Sequence, residues 1–336
     1  MKKMGKITII FTIIFLLAVP AFSFELLETL KDGVEDFSEA MAKALPFNST
    51  IGLNWSDAYI GKLIGVPPHF GVGLSAGFTT IPITALEGLK DLLQVDIPLD
   101  LIPIGFPLPA YTAEARLGGF FLPFDLGFKF GYIPQDLLTG MIGVGVKYQL
   151  IGADIRFVLL NPKVIPIKLS VGAGFNHLEG GITAPPLFST MSFDFDVASV
   201  TKTLEIPSPD VGLIWETNVA EVKAQLSLPL LIITPYIGAG ISYSWSKAGY
   251  HITSEIKVDG EAIEDLDPSI TDAMKELGIS GISNDGFGSI IEIEGWNMRV
   301  YGGISFNLAM IRIDLTAMYN FYDKSMGATF GLRFQL

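Results

Sequence analysis

The sequence predicts an all-β fold: a transmembrane, antiparallel, up-and-down barrel of about fourteen strands, within a range of about twelve to sixteen, with helices before it and in its loops. Three observations predict it. The chain opens on an export-type leader. Apolar residues then recur with period two in segment after segment. The composition is apolar, 49% hydrophobic with mean hydropathy +0.47, yet no stretch after the leader suits a membrane helix.

Lys2, Lys3 and Lys6 precede an uncharged run from Ile7 to Val19, then Pro20 and the small-residue ending Ala21-Phe22-Ser23. This is the pattern of a secretory signal peptide, with cleavage expected after Ser23 and residues 1–23 removed; the run is too short to span a bilayer as a helix. The later candidate span, Leu226 to Ile241, contains Pro229, Pro235, Gly238 and Gly240, which break a helix and suit strand, turn and strand. The chain has no cysteine, so no disulfide framework is available. A formal net charge of −13, more acidic once the leader lysines are gone, excludes a nucleic-acid partner, whose phosphates need clustered Lys and Arg.

Residues 24–48 carry Leu27, Leu30, Val34, Phe37, Met41 and Leu45 at helical spacing, so an amphipathic helix is expected, either folded into the lumen as a plug or lying in the periplasm. Residues 49–336 are read as barrel. Strands are expected at Ile51–Ser56, Phe70–Thr79, Tyr111–Gly119, Leu126–Ile133, Met141–Leu150, Ala153–Leu160, Pro166–Asn176 and Thr190–Ser199. The second half adds Val211–Thr217 and Ala220–Leu228, which are one bulged strand or two, then Ile233–Ser246, Trp296–Phe306, Ile311–Phe321 and Met326–Leu336. The last strand shows the pattern fully: Met326, Ala328, Phe330, Leu332, Phe334 and Leu336 oppose Gly327, Thr329, Gly331, Arg333 and Gln335. The polar faces are rich in glycine and serine rather than Lys and Glu, which favours a wet lumen with lipid outside over a soluble sandwich. Helices are expected at Ile83–Leu93, followed by a proline-rich stretch through Pro109 that a central strand could not accept, and at Glu261–Leu277 in a long acidic loop.

Thr329, Gly331, Phe334 and the terminal Leu336 space out as polar, Gly, aromatic and apolar over the last eight residues. That resembles the C-terminal insertion signal of bacterial outer-membrane β-barrel proteins, with Leu336 where a final Phe is commonest. The resemblance implies export to the cell outer membrane, outer-membrane lipid as surroundings, and the barrel assembly machinery as a partner. A barrel of about fourteen strands with an N-terminal plug also resembles, in plan, the long-chain fatty-acid transporter (FadL) family, although that family's Asn-Pro-Ala start is replaced here by Phe24-Glu25-Leu26.

Inward parity nominates Glu114, Arg116, Lys129, Lys147, Asp154, Arg156, Lys168, Arg299, Arg312, Asp314 and Arg333 as lumen-facing. Such mixed charge either lines a wet path or pairs across the lumen and stiffens it. Gly73-Leu74-Ser75-Ala76-Gly77 matches a nucleophile elbow in letters but sits in an alternating strand without the strand-to-helix turn the motif requires, so no enzyme is expected. His69, His177 and His251 fall near strand ends or in loops. Asp194 with Asp196, Asp259 with Glu261, and Asp265 with Asp267 lack the spacing of a calcium loop, so neither metal nor cofactor is expected. The leading functional expectation is a passive channel or transporter for small or hydrophobic solutes; the alternative is a closed structural or surface-interaction barrel.

Overall fold

A computed structural model describes residues 24–64, 68–83, 105–120, 122–134, 145–162, 165–184, 191–197, 200–206, 210–253, 257–262 and 287–336. The leader, the expected helix at Ile83–Leu93 and most of Glu261–Leu277 lie outside these residues. Helix α1 spans Phe24–Asn48, and the strands follow as β1 Phe70–Ile81, β2 Phe106–Gly118, β3 Phe124–Ile133, β4 Gly145–Leu160, β5 Lys168–Ala184, β6 Met191–Val197 and β7 Val200–Ile206. The remainder are β8 Asp210–Ser227, β9 Ile233–Thr253, β10 Lys257–Val258, β11 Glu261–Ala262, β12 Phe287–Leu308, β13 Ile311–Asn320 and β14 Met326–Gln335.

Ten of these strands close an antiparallel barrel in the order β1-β14-β13-β12-β9-β8-β5-β4-β3-β2, and the seam between β1 and β14 runs from Gly71 opposite Gln335 to Thr79 opposite Gly327. β6, β7, β10 and β11 form a separate four-stranded sheet on the loops. The expected count of about fourteen is therefore corrected to ten, and each discrepancy has a physical cause. Ile51–Ser56 alternates in sequence only: its backbone turns at Gly52 and Leu53, both with positive φ, pairs with no strand and runs inside the barrel. The expected strand Thr190–Ser199 is β6, outside the wall.

Two further expected pairs of strands are single continuous strands, β4 with 16 residues and β8 with 18. In both, the apolar parity switches midway while the chain does not turn. Within the lower part of β4, Ile151 and Phe157 are exposed on the outside and Asp154 and Arg156 are buried inside. Above Ile151 the buried inward residues are Tyr148 and Leu150, and Lys147 is exposed outside. β8 repeats this, with Val222 and Leu226 outside low down and Trp215 and Val219 inside higher up. The polarity inverts because the upper strands stand clear of the apolar belt, with water outside and α1 inside.

β2 corrects the reading of its proline-rich start. Pro107 and Pro109 belong to the strand, opposite Thr80 and Phe78 of β1, while β3 pairs with β2 only from Ala113 to Gly118. A proline whose missing N–H faces the unpaired side breaks no ladder bond.

Outside, Leu74, Phe130, Val222, Ile237, Trp296 and Phe330 belong to a belt of large apolar residues each 51–67% exposed, far more contiguous apolar surface than a water-facing protein carries. Tyr243 packs edge-on against Trp245 and Trp296, and Tyr319 against Phe321, at one margin of the belt. This is the arrangement of an interfacial aromatic girdle. No helix among the described residues is long and apolar enough to cross a membrane.

Candidate functional site: a lumen filled by the amino-terminal segment

Above the girdle, α1 enters through the mouth that carries the long loops and packs on β9, β12, β8, β1 and β2. Met41, Ala42, Ala44, Leu45 and Phe47 join Tyr148, Leu150, Leu178, Trp215, Ala248 and Tyr301 in one buried apolar cluster. The last turn of the helix holds Pro46, and its final carbonyls are capped: Ser49 N–H donates to Leu45 O, Ser49 Oγ to Pro46 O, and Thr50 Oγ1 to Phe47 O at 2.7 Å. Asn48 Nδ2 then donates to Thr79 Oγ1 and to Leu108 O, fixing the helix end against β1 and β2.

From Ser49 to Ile60 the chain descends the lumen, and every residue in this stretch is buried. The turn that starts the descent is tight: Gly52 has φ +87°, and a Cβ there would stand 2.5 Å from Thr112 Oγ1. Wall side chains bind the descending backbone directly. Lys129 Nζ donates to Ser49 O and Ile51 O, Gln225 Nε2 to Trp55 O and Ser56 O, Arg156 to Asp57 O, and Lys168 Nζ to Tyr59 O. In return Leu53 N–H donates to Glu114, Ala58 N–H to Ser227 Oγ, and Ile60 N–H to Asp125.

The side chains of the segment are held as firmly. Trp55 Nε1 donates to Glu114 Oε2, and two guanidinium groups lie over its ring, Arg116 at 5.7 Å and Arg333 at 4.7 Å. Gly71 leaves the space for that ring, since a Cβ there would come within 2.8 Å of it. Asp57 faces Arg333 at 3.1 Å and Arg312 at 3.7 Å.

Below and around the segment the wall charges pair among themselves. Asp125 takes Arg116 at 2.5 Å and Arg156 at 2.8 Å, while Asp154 takes Arg116 at 2.8 Å and Lys223 at 2.9 Å. Arg299 grips Glu221 with two parallel bonds of 2.6 and 3.0 Å, stacks on Tyr301 and reaches Asn54; Arg333 binds Asp314 at 2.7 Å. Ions this deep are tolerable only because each is paired and hydrogen-bonded. A space of about 10 Å³, room for about one water molecule, is left between Lys129, Asp154, Glu221, Lys223 and Arg299.

Of the residues nominated by parity, the structure gathers Glu114, Arg116, Lys129, Asp154, Arg156, Lys168, Arg299, Arg312, Asp314 and Arg333 around this segment. Lys147 is corrected: it lies on the outer face above the girdle, paired with Glu179 at 3.2 Å. Thr329, Gly331 and Phe334 lie in β14, and Leu336 N–H donates to Phe70 O as the seam closes. Sequence reasoning passed over Asp125, Glu221, Lys223 and Gln225, although each alternates with apolar neighbours; Trp55 falls within the expected wall strand Ile51–Ser56 rather than the lumen, and Asp57 falls outside every expected strand. Ser75 lies in mid-strand between Thr112 and Gly331.

The outer rim of the mouth is polar. Gln149, Glu179, Glu216, Lys247 and Glu292 stand side by side across β4, β5, β8, β9 and β12, with Lys247 on Glu292 at 2.7 Å. In the loop sheet, Lys202 and the Thr203 N–H bind the Asp259 carboxylate and hold it below the usual carboxylate range. His177 meets Asn218 at 2.9 Å on the outer face, and His69 meets Leu336 O at 3.1 Å at the opposite end.

Among solved structures, the chain is similar over 80% of its length to the outer membrane protease OmpT of Escherichia coli, at 8% identity, TM-score 0.38 and 97% of that chain covered. It is similar in the same way to Ail, the attachment invasion locus protein of Yersinia pestis, at 10% identity, TM-score 0.28, and 80% and 97% of the two chains. The toluene transporter TbuX of Ralstonia pickettii aligns at 7% identity, TM-score 0.25, and 80% and 89%. These proteins are too distant for an activity to pass from them to this chain. No curated protein matches the sequence. Residues 118–336, well over half of the chain, match the model of a family of unknown function, DUF6588, and the chain belongs to that family.

Proposed function

We propose that the chain is a barrel of the outer membrane of a double-membraned bacterium, closed by its own amino-terminal segment, and that it acts through the surface it raises above the membrane rather than by conduction. One observation carries this reading: Ser49 to Ile60 fills the lumen and is bonded along its length by the wall's buried charges. The apolar belt and its girdle support the membrane setting, with outer-membrane lipid as surroundings and the barrel assembly machinery recognising Thr329, Gly331, Phe334 and Leu336. The raised surface has size. A transmembrane strand needs about 9–11 residues, whereas β8, β9 and β12 have 18, 21 and 22. The excess forms a wall that carries α1 and the four-stranded sheet at the long-loop mouth. That mouth is the place for a partner from the host or the envelope, and the proposed role is non-catalytic.

The competing reading, transport of a small or hydrophobic solute, requires Ser49 to Ile60 to leave the lumen. Planar-bilayer recording from protein shown to be inserted separates the two. Silence is expected; discrete, reproducible current steps would overturn the closed barrel and restore a passive channel.

A further inference from the structure

The tall wall stops abruptly at β12. That strand pairs with β9 from Phe287 opposite Ile252 to Phe306 opposite Ile233 without a break in register, whereas β13 pairs with it only from Arg299 to Leu308. Above Arg299 the second edge of β12 has no strand beside it among the described residues. The last bond on that edge runs from Phe321 N–H to Met298 O at 2.9 Å. Period two then turns the N–H and C=O groups of Trp296, Glu294, Glu292, Ile290 and Gly288 to the same open side. At about 3.3 Å per residue, Trp296 to Gly288 is about 26 Å of ladder without a partner strand.

Such an edge is a template for another strand. The comparable stretch of β2, above its pairing with β3, is guarded by Pro107 and Pro109; β12 contains no proline. Two features select the occupant. On the outer face, Glu292 and Glu294 stand exposed on this stretch; Glu292 bonds Lys247 at 2.7 Å, and Glu294 has no cation paired with it among the described residues. Antiparallel pairing with a second copy over this stretch would set these carboxylates against their counterparts, which a sheet disfavours, whereas Lys or Arg on an incoming strand is attracted. On the inner face, a small cleft separates the edge from α1, between Lys43, Pro46, Ser244, Ile293, Asn297 and Tyr322. A Cβ on Gly295 would meet nothing within 4 Å, and Asn297 Oδ1 is buried with no hydrogen-bond partner among the described residues. Small side chains fit there, and a hydroxyl would supply the donor Asn297 needs.

We propose that the free edge of β12 from Gly288 to Trp296 is a strand-addition site for an extended, basic segment of a partner protein, with Lys or Arg outward against Glu292 and Glu294 and small or hydroxyl side chains inward over the cleft. This deepens the surface-acting reading above and rests on it.

The test uses the full-length chain in lipid nanodiscs, with amide exchange read residue by residue. In the free protein the amides of Ile290, Glu292 and Glu294 should exchange faster than those of Ile291 and Ile293, which face β9. A peptide of about nine residues alternating Lys with Thr is the probe, and it should slow the three open-edge amides at least about tenfold. The same peptide with Glu in place of Lys, or with its β12-facing amides N-methylated, should leave them unchanged. Glu294→Pro should abolish the slowing at Ile290 and Glu292 while the amides that face β9 keep their protection, because the lost N–H lies on the unpaired side. Slowing that survives N-methylation or Glu294→Pro would reduce the contact to loose charge attraction and overturn strand addition. Freely exchanging edge amides that ignore the Lys peptide would overturn it as well. Edge amides as protected as Ile291 before any peptide is added would show the edge covered by the chain itself or by a second copy, and would sink the partner site. Current steps in the bilayer recording bear on the closed barrel alone; a silent barrel whose edge ignores the Lys peptide keeps the surface-acting reading and loses only this site.

Discussion

Within the belt, Arg116, Arg156 and Arg333 point into the lumen and Val72, Phe128 and Phe157 point out; at the mouth, Tyr148, Leu150, Leu178 and Trp215 point in, while Lys147, Glu179, Lys247 and Glu292 point out. Both regions belong to the same strands and alternate with the same period. What changes is the medium on each side. In the belt, the proposed lipid surroundings demand apolar side chains outside, and the Ser49 to Ile60 backbone inside demands hydrogen-bonding and charged ones. At the mouth, water lies outside and an apolar helix face lies inside. A β-strand fixes which residues share a face, and only the surroundings fix which face is greasy.

Substitutions that respect or violate this inversion break or sharpen the comparison. The largest effect is expected in the belt. Arg299→Met strips Glu221 of its bidentate partner and strands a buried carboxylate, at a cost of about 3–5 kcal/mol in the stability of the inserted barrel. Urea unfolding followed by tryptophan fluorescence reads it, and a loss below about 1 kcal/mol would mean that the lumen is wet enough to solvate Glu221. At the mouth, Leu45→Ala opens a cavity in the helix contact and is expected to cost about 2–5 kcal/mol. Its signature differs: protease should cleave α1 from folded barrels faster, with the barrel itself still resistant.

Between the two regions, Gly52→Ala forces a side chain into a positive-φ turn and against Thr112, costing about 1–3 kcal/mol. The amide of Leu53, which donates to Glu114, should then exchange faster while the amides of α1 keep their rates. The smallest effect belongs to Lys147→Leu. An exposed pair such as Lys147 with Glu179 contributes about 0–1 kcal/mol, so the unfolding midpoint should scarcely move. A loss as large as that of Arg299→Met would place Lys147 inside the wall after all.

The same inversion explains what was legible in the sequence. Alternation located every barrel strand, because period two is a property of the backbone. It failed at strand number, because a change of parity looks like a turn. In β4 the apolar residues shift from Tyr148 and Leu150 to Ile155 and Phe157, and in β8 from Leu213 and Trp215 to Val222 and Leu226, each within one unbroken strand. Lys147 was assigned to the lumen for the same reason, by carrying the belt's rule above the girdle. Ile51, Leu53 and Trp55 alternate with Gly52, Asn54 and Ser56 as a strand would, but their partners are side chains such as Lys129, Glu114 and Gln225, scattered along the chain and invisible to a local pattern. The charges that hold the segment were mostly legible one at a time. Their pairing was not, since Arg299 and Glu221 lie far apart in sequence and meet only because β12 and β8 flank β9.

The account stands on Ser49 to Ile60 being seated in the lumen, and hydrogen–deuterium exchange of the full chain in lipid nanodiscs tests that most directly. Peptides covering these residues should be protected to the level of β8 and β9, because Leu53, Ala58 and Ile60 donate to buried wall groups away from water. Exchange as fast as that of exposed loops, with the barrel strands still protected, would show the lumen vacated and contradict the closed barrel.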